Sequence, residues 1–416
     1  MTDRRLVSHL LRRLTFGPTS AEVDAATRTG YDAMLASLLR PAVAVPPPAL
    51  GPDPAASLGP GSTREQRQEA RRRQGEQVTE LTRWWLARMA DGGAAEKLTF
   101  FWHGHWATSA RKVRSAQLML GQQQIFRRYG HGDTGPLVRA MLRDPALILW
   151  LDGQKNTRRA PNENLAREVM ELFTLGVGAY TEDDVKAAAR VLTGWQVDRA
   201  AGTARLAPGR HDDRPVTLLG RTGTFDVDSY ADALVRHEAH VPFLARRLWA
   251  RYASSDTAPA AGIAAAGRDA TALLTAICRD PAFEATNGTL VKQPVEWLVG
   301  AIRQLGVPTG EQRRLSGTLR ALGQVPLRPP SVGGWPAGAA WLTTASALTR
   351  LRAGQQIAGL APEAGERLTG GDRLEALADM LVIDGWTDRT AAALRTVKNP
   401  RRLLAAGLAS PEYAIH

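Results

Sequence analysis

The chain has 416 residues, 44% of them hydrophobic, a single cysteine and a formal charge of +12. Length and apolar content suffice for a large buried core, in one big domain or two to three smaller ones. Cys278 alone excludes an intrachain disulfide and any cysteine-rich zinc or iron–sulfur centre, and no apolar stretch approaches the ~20 residues that a membrane helix needs. The positive charge suits an acidic partner. The basic residues, however, fall in scattered pairs and triplets such as Arg71–Arg73, Arg127/Arg128 and Arg401/Arg402, so nucleic acid is a disfavoured partner.

Residues 1–40 read as an N-terminal helical segment: Leu6–Leu14, then Ala21–Thr27 behind a Thr19 or Ser20 cap, then Tyr31–Leu39. The opening basic residues are not followed by an apolar run and a small-residue cleavage site. No secretory signal is readable, which points to the cytoplasm. Residues 41–62, with Pro46-Pro47-Pro48, form a proline-, alanine- and glycine-rich linker or surface loop. Residues 63–350 make the helical core region. Its first helix, Arg64–Arg88, is polar all round up to Gln77 and then buries Leu81, Trp84, Trp85 and Leu86. Ala94–Trp106 is strongly apolar, and helices follow over 111–128, 136–141 and 145–151. Val197–Phe225 carries short alternating pieces between glycines, the one place for a small β-hairpin or ordered loop. Helices resume at Val227–His237, His240–Tyr252, Gly262–Arg279 and Leu290–Leu305. Arg328–Trp341 holds too many breakers for a helix, and 351–416 is a C-terminal helical tail. The fold class expected is mainly α: a single large helical domain with a small β-hairpin or loop insertion near 197–225.

The stretch Pro161–Trp195 reads PNENLAREVMELFTLGVGAYTEDDVKAAARVLTGW. Asn162 or Asn164 caps a helix with Asn164, Arg167, Glu168 and Glu171 on one face and Leu165, Val169, Leu172 and Phe173 on the other. Gly176 and Gly178 stop it. Thr181 and Asp184 then open a second helix, to about Trp195, with a carboxylate variant of the capping box.

His103 and His105 stand in FWHGHW. On a helix they point about 200° apart; on an extended segment they point the same way. Gly104 allows a local break, so the pair either converges on one metal or substrate or packs among Trp102 and Trp106. His211-Asp212-Asp213 is a metal-ligand set, an acid/base pair or a turn built on aspartate side chains. Together His103, His105, Glu168, Glu171, His211 and Asp212 would suit a divalent transition metal such as zinc, manganese or iron. Without a metal the same set could do general acid/base work, with Asn164 and Arg167 holding an anionic or hydroxylated substrate. No nucleophile elbow, phosphate loop, dinucleotide fingerprint or His-Glu-x-x-His is present.

The motifs HLLRRLTFGPT, FWHGHW, PNENLAREVMELFTLGVGAYTEDDVKAAARVLTGW, HDDRPVTLLGRTG, FLARRLW, VKQPVEWLVGAIRQLG and PPSVGGWPAGAAWLTTASALTR resemble, in order, the bacterial domain-of-unknown-function family numbered eighteen hundred. The matches run from His9 to about Arg350. The resemblance implies no agreed activity. It does imply a frequent genomic neighbour, from the family numbered fifteen hundred and one, that resembles alkaline phosphatases and sulfatases. It also implies that many relatives are exported, so this chain could alternatively leave the cell bound to a signal-bearing partner. Arg214 and Val216 depart from the glycine and lysine frequent in the family's HDxGPKTxLG segment.

The expected site is a pocket with Asn164, Arg167, Glu168 and Glu171 in catalytic roles and His103, His105, His211 and Asp212 as metal ligands. Lys292, Trp195 and Trp335 form its wall. The expected function is a hydrolase- or lyase-like reaction, with or without a divalent transition metal, on an envelope or extracellular sugar- or phosphate-bearing substrate. The rival is a non-catalytic partner or maturation subunit of the phosphatase/sulfatase-like neighbour, in which the same residues form a buried polar network.

Overall fold

The structure, a computed structural model, describes residues 3–41, 46–91, 93–308 and 315–416. Residues 42–45 of the proline-rich stretch lie outside them. The rest of that stretch is a docked surface loop: Leu50 and Asp53 are buried, and Asp53 accepts from Arg199 Nε at 3.1 Å.

The chain is mainly helical with two small hairpins. The N-terminal helices are α1 (Arg4–Leu14), α2 (Ser20–Thr29) and α3 (Tyr31–Leu38). The core follows with α4 (Arg64–Ala90), α5 (Ala94–His105), α6 (Ala110–Val113), α7 (Ala116–Tyr129), α8 (Thr134–Leu142) and α9 (Pro145–Trp150). Next come α10 (Asn164–Glu168), a π-helical segment Val169–Thr174, and α11 (Glu182–Val191). Strand β1 (Trp195–Asp198) pairs antiparallel with β2 (Thr203–Leu206), Trp195 opposite Leu206, and β3 (Val216–Leu218) pairs with β4 (Arg221–Gly223). Then follow α12 (Val227–Arg236), α13 (His240–Tyr252), α14 (Ala270–Arg279), α15 (Pro281–Ala285), α16 (Pro294–Gln304), α17 (Ser316–Ala321) and α18 (Thr344–Leu360). Five short helices from Pro362 to Ala414 close the chain, and no helix among the described residues is long and apolar enough to cross a membrane.

Most helices begin where their own residues satisfy the first free N–H groups. Thr19, Thr63, Thr181 and Asp226 each cap with a reciprocal bond from the third helical residue. Three of the expected elements differ in the structure. The helix expected over 111–128 is two, because Arg114 takes a left-handed conformation (φ 52°) and Ser115 caps a new start. The helix expected to run to Trp195 ends at Val191, and Trp195 instead opens β1. The C-terminal segment, expected to give helices with a polar tail, is packed to its end: Tyr413 and His416 are buried, and Lys292 N–H donates to the Ala414 carbonyl at 2.9 Å.

Two large apolar clusters fill the interior, and α5 belongs to both. Leu98, Phe101 and Trp102 join the cluster built with α8, α11, α12 and α14, while Phe100 joins the one built with α4, α16 and α18. A helix buried on all sides must be apolar all round, which explains why Ala94–His105 shows no polar face. The N-terminal turn is fixed against α16 by a direct backbone contact. A Cβ on Gly300 would lie 2.9 Å from the Phe16 carbonyl oxygen, and one on Gly17 (φ 114°) 2.9 Å from the Gly300 Cα. Arg303 clasps the same turn, donating to the Gly17 carbonyl and to Glu22 (2.6 Å).

Gly300→Ala is therefore expected to lower the unfolding free energy by roughly 1–3 kcal/mol, the cost of overpacking. Urea unfolding checks it; an unchanged midpoint would show that the turn can retreat from α16.

Candidate functional site

A cleft of about 120 Å³ opens where α5, α13, the start of α16 and the Gly-Trp-Pro loop meet. Phe100, Phe101, Gly104 and His105 line it from α5, Arg247 and Arg251 from α13, and Gln293 and Trp335 close it. Arg247 and Arg251 are four apart, so one helical face presents both guanidiniums. The loop can sit this close because two glycines meet: Gly334 has φ 86°, and a Cβ there would lie 2.6 Å from the Gly104 carbonyl oxygen. That contact seats Trp335 against Phe100 (ring centroids 5.5 Å) and edge-on to His103 (5.3 Å).

The two histidines of FWHGHW do not converge. The helix continues through His105, so the local break anticipated at Gly104 is absent and the rings leave on different faces. His103 is enclosed, edge-on to Trp85 and Trp335, and its Nε2 accepts from Leu327 N–H at 3.1 Å, which leaves the proton on Nδ1. His105 has the opposite tautomer: its Nε2 donates to the Phe173 carbonyl at 2.8 Å, and its Nδ1 lone pair has no partner. Burial pushes both imidazoles down to about 3, and for His105 the Arg247 charge adds to the effect.

Behind the cleft stands one carboxylate. Glu296 lies 2.8 Å from Lys97 Nζ and 2.9 Å from Arg251 Nη2, and its other oxygen accepts from Gln293 N–H at 2.9 Å. Lys97 also donates to the Thr15 carbonyl (2.7 Å) and the Arg12 carbonyl (3.1 Å). Burial works against the charged carboxylate, but Arg251 and Lys97 outweigh it and hold Glu296 well below the usual range. Burial likewise pulls the Lys97 ammonium down to about 7. Arg251 is thereby anchored, whereas the Arg247 side chain makes no hydrogen bond or ion pair among the described residues.

The remaining sequence candidates stand elsewhere. Arg167 forms a fork to Glu182 (both 2.7 Å) and reaches Glu163 at 3.0 Å. Asn164 donates to the Leu151 carbonyl at 3.1 Å. Glu171 accepts from the Tyr180 hydroxyl at 3.1 Å; burial, then the neighbouring Glu171 charge, raises the Glu168 carboxyl. Asp212 is clamped between Arg190 Nε (2.9 Å) and Arg214 Nη2 (2.7 Å), and His211 Nδ1 bonds the Thr193 carbonyl at 2.9 Å. Trp195 lies in β1 with the Arg143 guanidinium 6.0 Å over its ring. Lys292 does not line the cleft; its ammonium sits 3.7 Å over the Tyr413 ring. Among the described residues no group of three or more His, Cys, Asp or Glu side chains is placed to hold a metal. The imidazole–carboxylate set does not fit one ion, because both Asp212 oxygens are engaged by arginine and the two neutral histidines diverge.

The central motif still reaches the cleft, through its backbone. The π-helical segment leaves terminal carbonyls outside the ordinary helical ladder. His105 donates to the Phe173 carbonyl, and His240 Nδ1 donates to the Thr174 carbonyl at 3.0 Å. Sequence reasoning missed Lys97, Arg247, Arg251 and Glu296. The usable signal was a charge inside an otherwise apolar helix, as Lys97 in AEKLTFFW and Glu296 in PVEWLVG.

A mainly α protein with an arginine- and aromatic-lined cleft is thus defined by the same motifs that mark its family. The chain belongs to the family described as "Protein of unknown function (DUF1800)", whose model matches residues 9–415. The match takes in the C-terminal helices beyond Arg350. No curated protein and no solved structure matches the chain.

Because His103 and His105 are neutral when folded and take protons near pH 6.5 when unfolded, the unfolded chain binds more protons between about pH 6.5 and 3. Stability is expected to fall as pH drops below about 6.5, by up to about 1.4 kcal/mol per pH unit for each histidine. Urea midpoints measured between pH 7.5 and 5 check this, and a flat profile would contradict it.

Proposed function

We propose that the chain is a ligand-binding subunit whose cleft captures an anionic group, a phosphate, sulfate or carboxylate, on a sugar- or phosphate-bearing molecule. The observation that carries this reading is Arg247: a guanidinium with no partner among the described residues, in one cleft lining with the anchored Arg251 and Trp335. Guanidinium forks match oxyanions in shape and charge, and Trp335, half-buried over the packed rings of Phe100 and Phe101, is the aromatic of the lining open to the apolar side of a sugar ring. The cleft lining holds no serine, cysteine or carboxylate. In keeping with the family resemblance, the subunit would present such a ligand to a phosphatase- or sulfatase-like partner, and it could be exported in that partner's company.

A hydrolase or lyase is the second reading, and one observation favours it. His105 lines the cleft, and its Nδ1, buried and without a partner among the described residues, is free to accept a proton. On that reading the general base is His105 rather than Glu168 or Glu171, and Arg247 rather than Arg167 is the charge clamp.

Calorimetric titration with inorganic phosphate, inorganic sulfate and glucose 6-phosphate tests the binding reading. At least one should bind, and Arg247→Ala should weaken it about tenfold or more, the value of a charged hydrogen bond, with no change in melting temperature. Native protein that binds none of the three, or an Arg247→Ala variant that binds as well as native, would contradict it. Turnover of the ligand lost in His105→Gln would move the assignment to the catalytic reading.

A further inference from the structure

Two side-chain amides in series fix what Gln293 offers to the cleft. Val295 N–H stands in the first turn of α16, where no helical carbonyl reaches it, and it donates to Gln324 Oε1 at 2.9 Å. Gln324 is fully buried. Only an amide oxygen accepts from an N–H, so the Nε2 end of Gln324 is turned to Gln293, whose Oε1 accepts from it at 2.8 Å. The same rule then sets Gln293. Its oxygen is engaged by Gln324, and its Nε2 is the end left over, with no acceptor among the described residues. Gln293 is half-buried and lines the cleft, and its backbone is held by the bond from its N–H to Glu296.

The cleft is thereby supplied with donors from two elements. Arg247 and Arg251 come from one face of α13, and the Gln293 amide comes from the start of α16. A carboxylate has two oxygens in one plane, and a single guanidinium fork meets both. A sulfate or phosphate ester has a third terminal oxygen outside that plane, for which a donor on a separate element is suited. The cleft, about 120 Å³, has room for such a group.

We propose, resting on the binding reading above, that the anionic group held in this cleft is a tetrahedral oxyanion ester rather than a carboxylate. Gln293 selects it by donating from Nε2 to the third terminal oxygen, and Gln324 holds the amide in the orientation that makes this possible.

Calorimetric titration of the full chain with glucose 6-sulfate and with glucuronate tests the assignment, because the two share a sugar ring and a single negative charge at neutral pH. Native protein should bind glucose 6-sulfate about tenfold or more tighter than glucuronate, the value of one further charged hydrogen bond. Glucose 6-phosphate, titrated alongside, shows which of the two esters is preferred. Gln293→Met keeps the side-chain length without the donor, and it should bring glucose 6-sulfate down to the level of glucuronate. Glucuronate bound by native protein as tightly as glucose 6-sulfate overturns this inference and leaves the anion-binding cleft standing. A Gln293→Met variant that weakens both ligands by the same factor does so too, since a merely structural role would leave their ratio unmoved. Native protein that binds none of the three overturns the binding reading along with it. Should Gln293→Met fail to fold, the comparison of ligands on the native chain decides by itself.

Discussion

One buried carboxylate, Glu296, ties the parts of this protein together. It projects from α16, pairs with Lys97 of α5 and Arg251 of α13, and accepts from the backbone at Gln293. Lys97 in turn donates to the carbonyls of Arg12 and Thr15 in the N-terminal segment. Four stretches far apart in the chain are thereby held to a single pair of oxygens. Such a cluster is costly to desolvate, and its value is geometric: with one member removed, the others are left as uncompensated buried charges. Arg251 faces both ways, anchored to Glu296 while lining the cleft. The cleft therefore exists in its present form only if the cluster does.

The same dependence explains why the family motifs are polar yet dispersed. FWHGHW supplies the aromatic wall and the Gly104 that lets the Gly334 backbone approach; RRLW supplies Arg247; KQPVEW supplies Gln293 and Glu296; GGWP supplies Trp335. The long central motif contributes differently. Its Arg167 is held by Glu163 and Glu182 in a local network, while its π-helical carbonyls are capped by His105 and His240. Neutral imidazoles suit that capping, since each must donate one proton to a carbonyl inside an apolar shell.

Much of the fold could be read from the sequence because most helices announce themselves locally. Thr19 and Thr181 carry their own capping partners three residues on, apolar periodicity marks the buried faces, and the hairpins appear where glycines and alternating residues cluster. What escaped was decided by contacts distant in sequence. The π-helical segment depends on histidines from α5 and α13, and the burial of the C-terminal residues depends on their pairing with residues 290–292. Of the residues expected in one site, His105 and Trp335 do meet at the cleft, whereas Glu168, Glu171, His211 and Asp212 belong to separate networks. Helical spacing shows which side chains share a face of one helix. It does not show which faces of different helices meet.

The most direct test of the role given to Glu296 is the unfolding free energy of Glu296→Gln in urea near neutral pH. The substitution keeps the shape of the side chain and removes the charge that Lys97 and Arg251 share. A loss of roughly 3–5 kcal/mol, as for breaking a buried ion pair, is what the cluster requires. A change of less than about 1 kcal/mol, within the range of exposed ion pairs, would mean that the helices are held by their apolar packing alone.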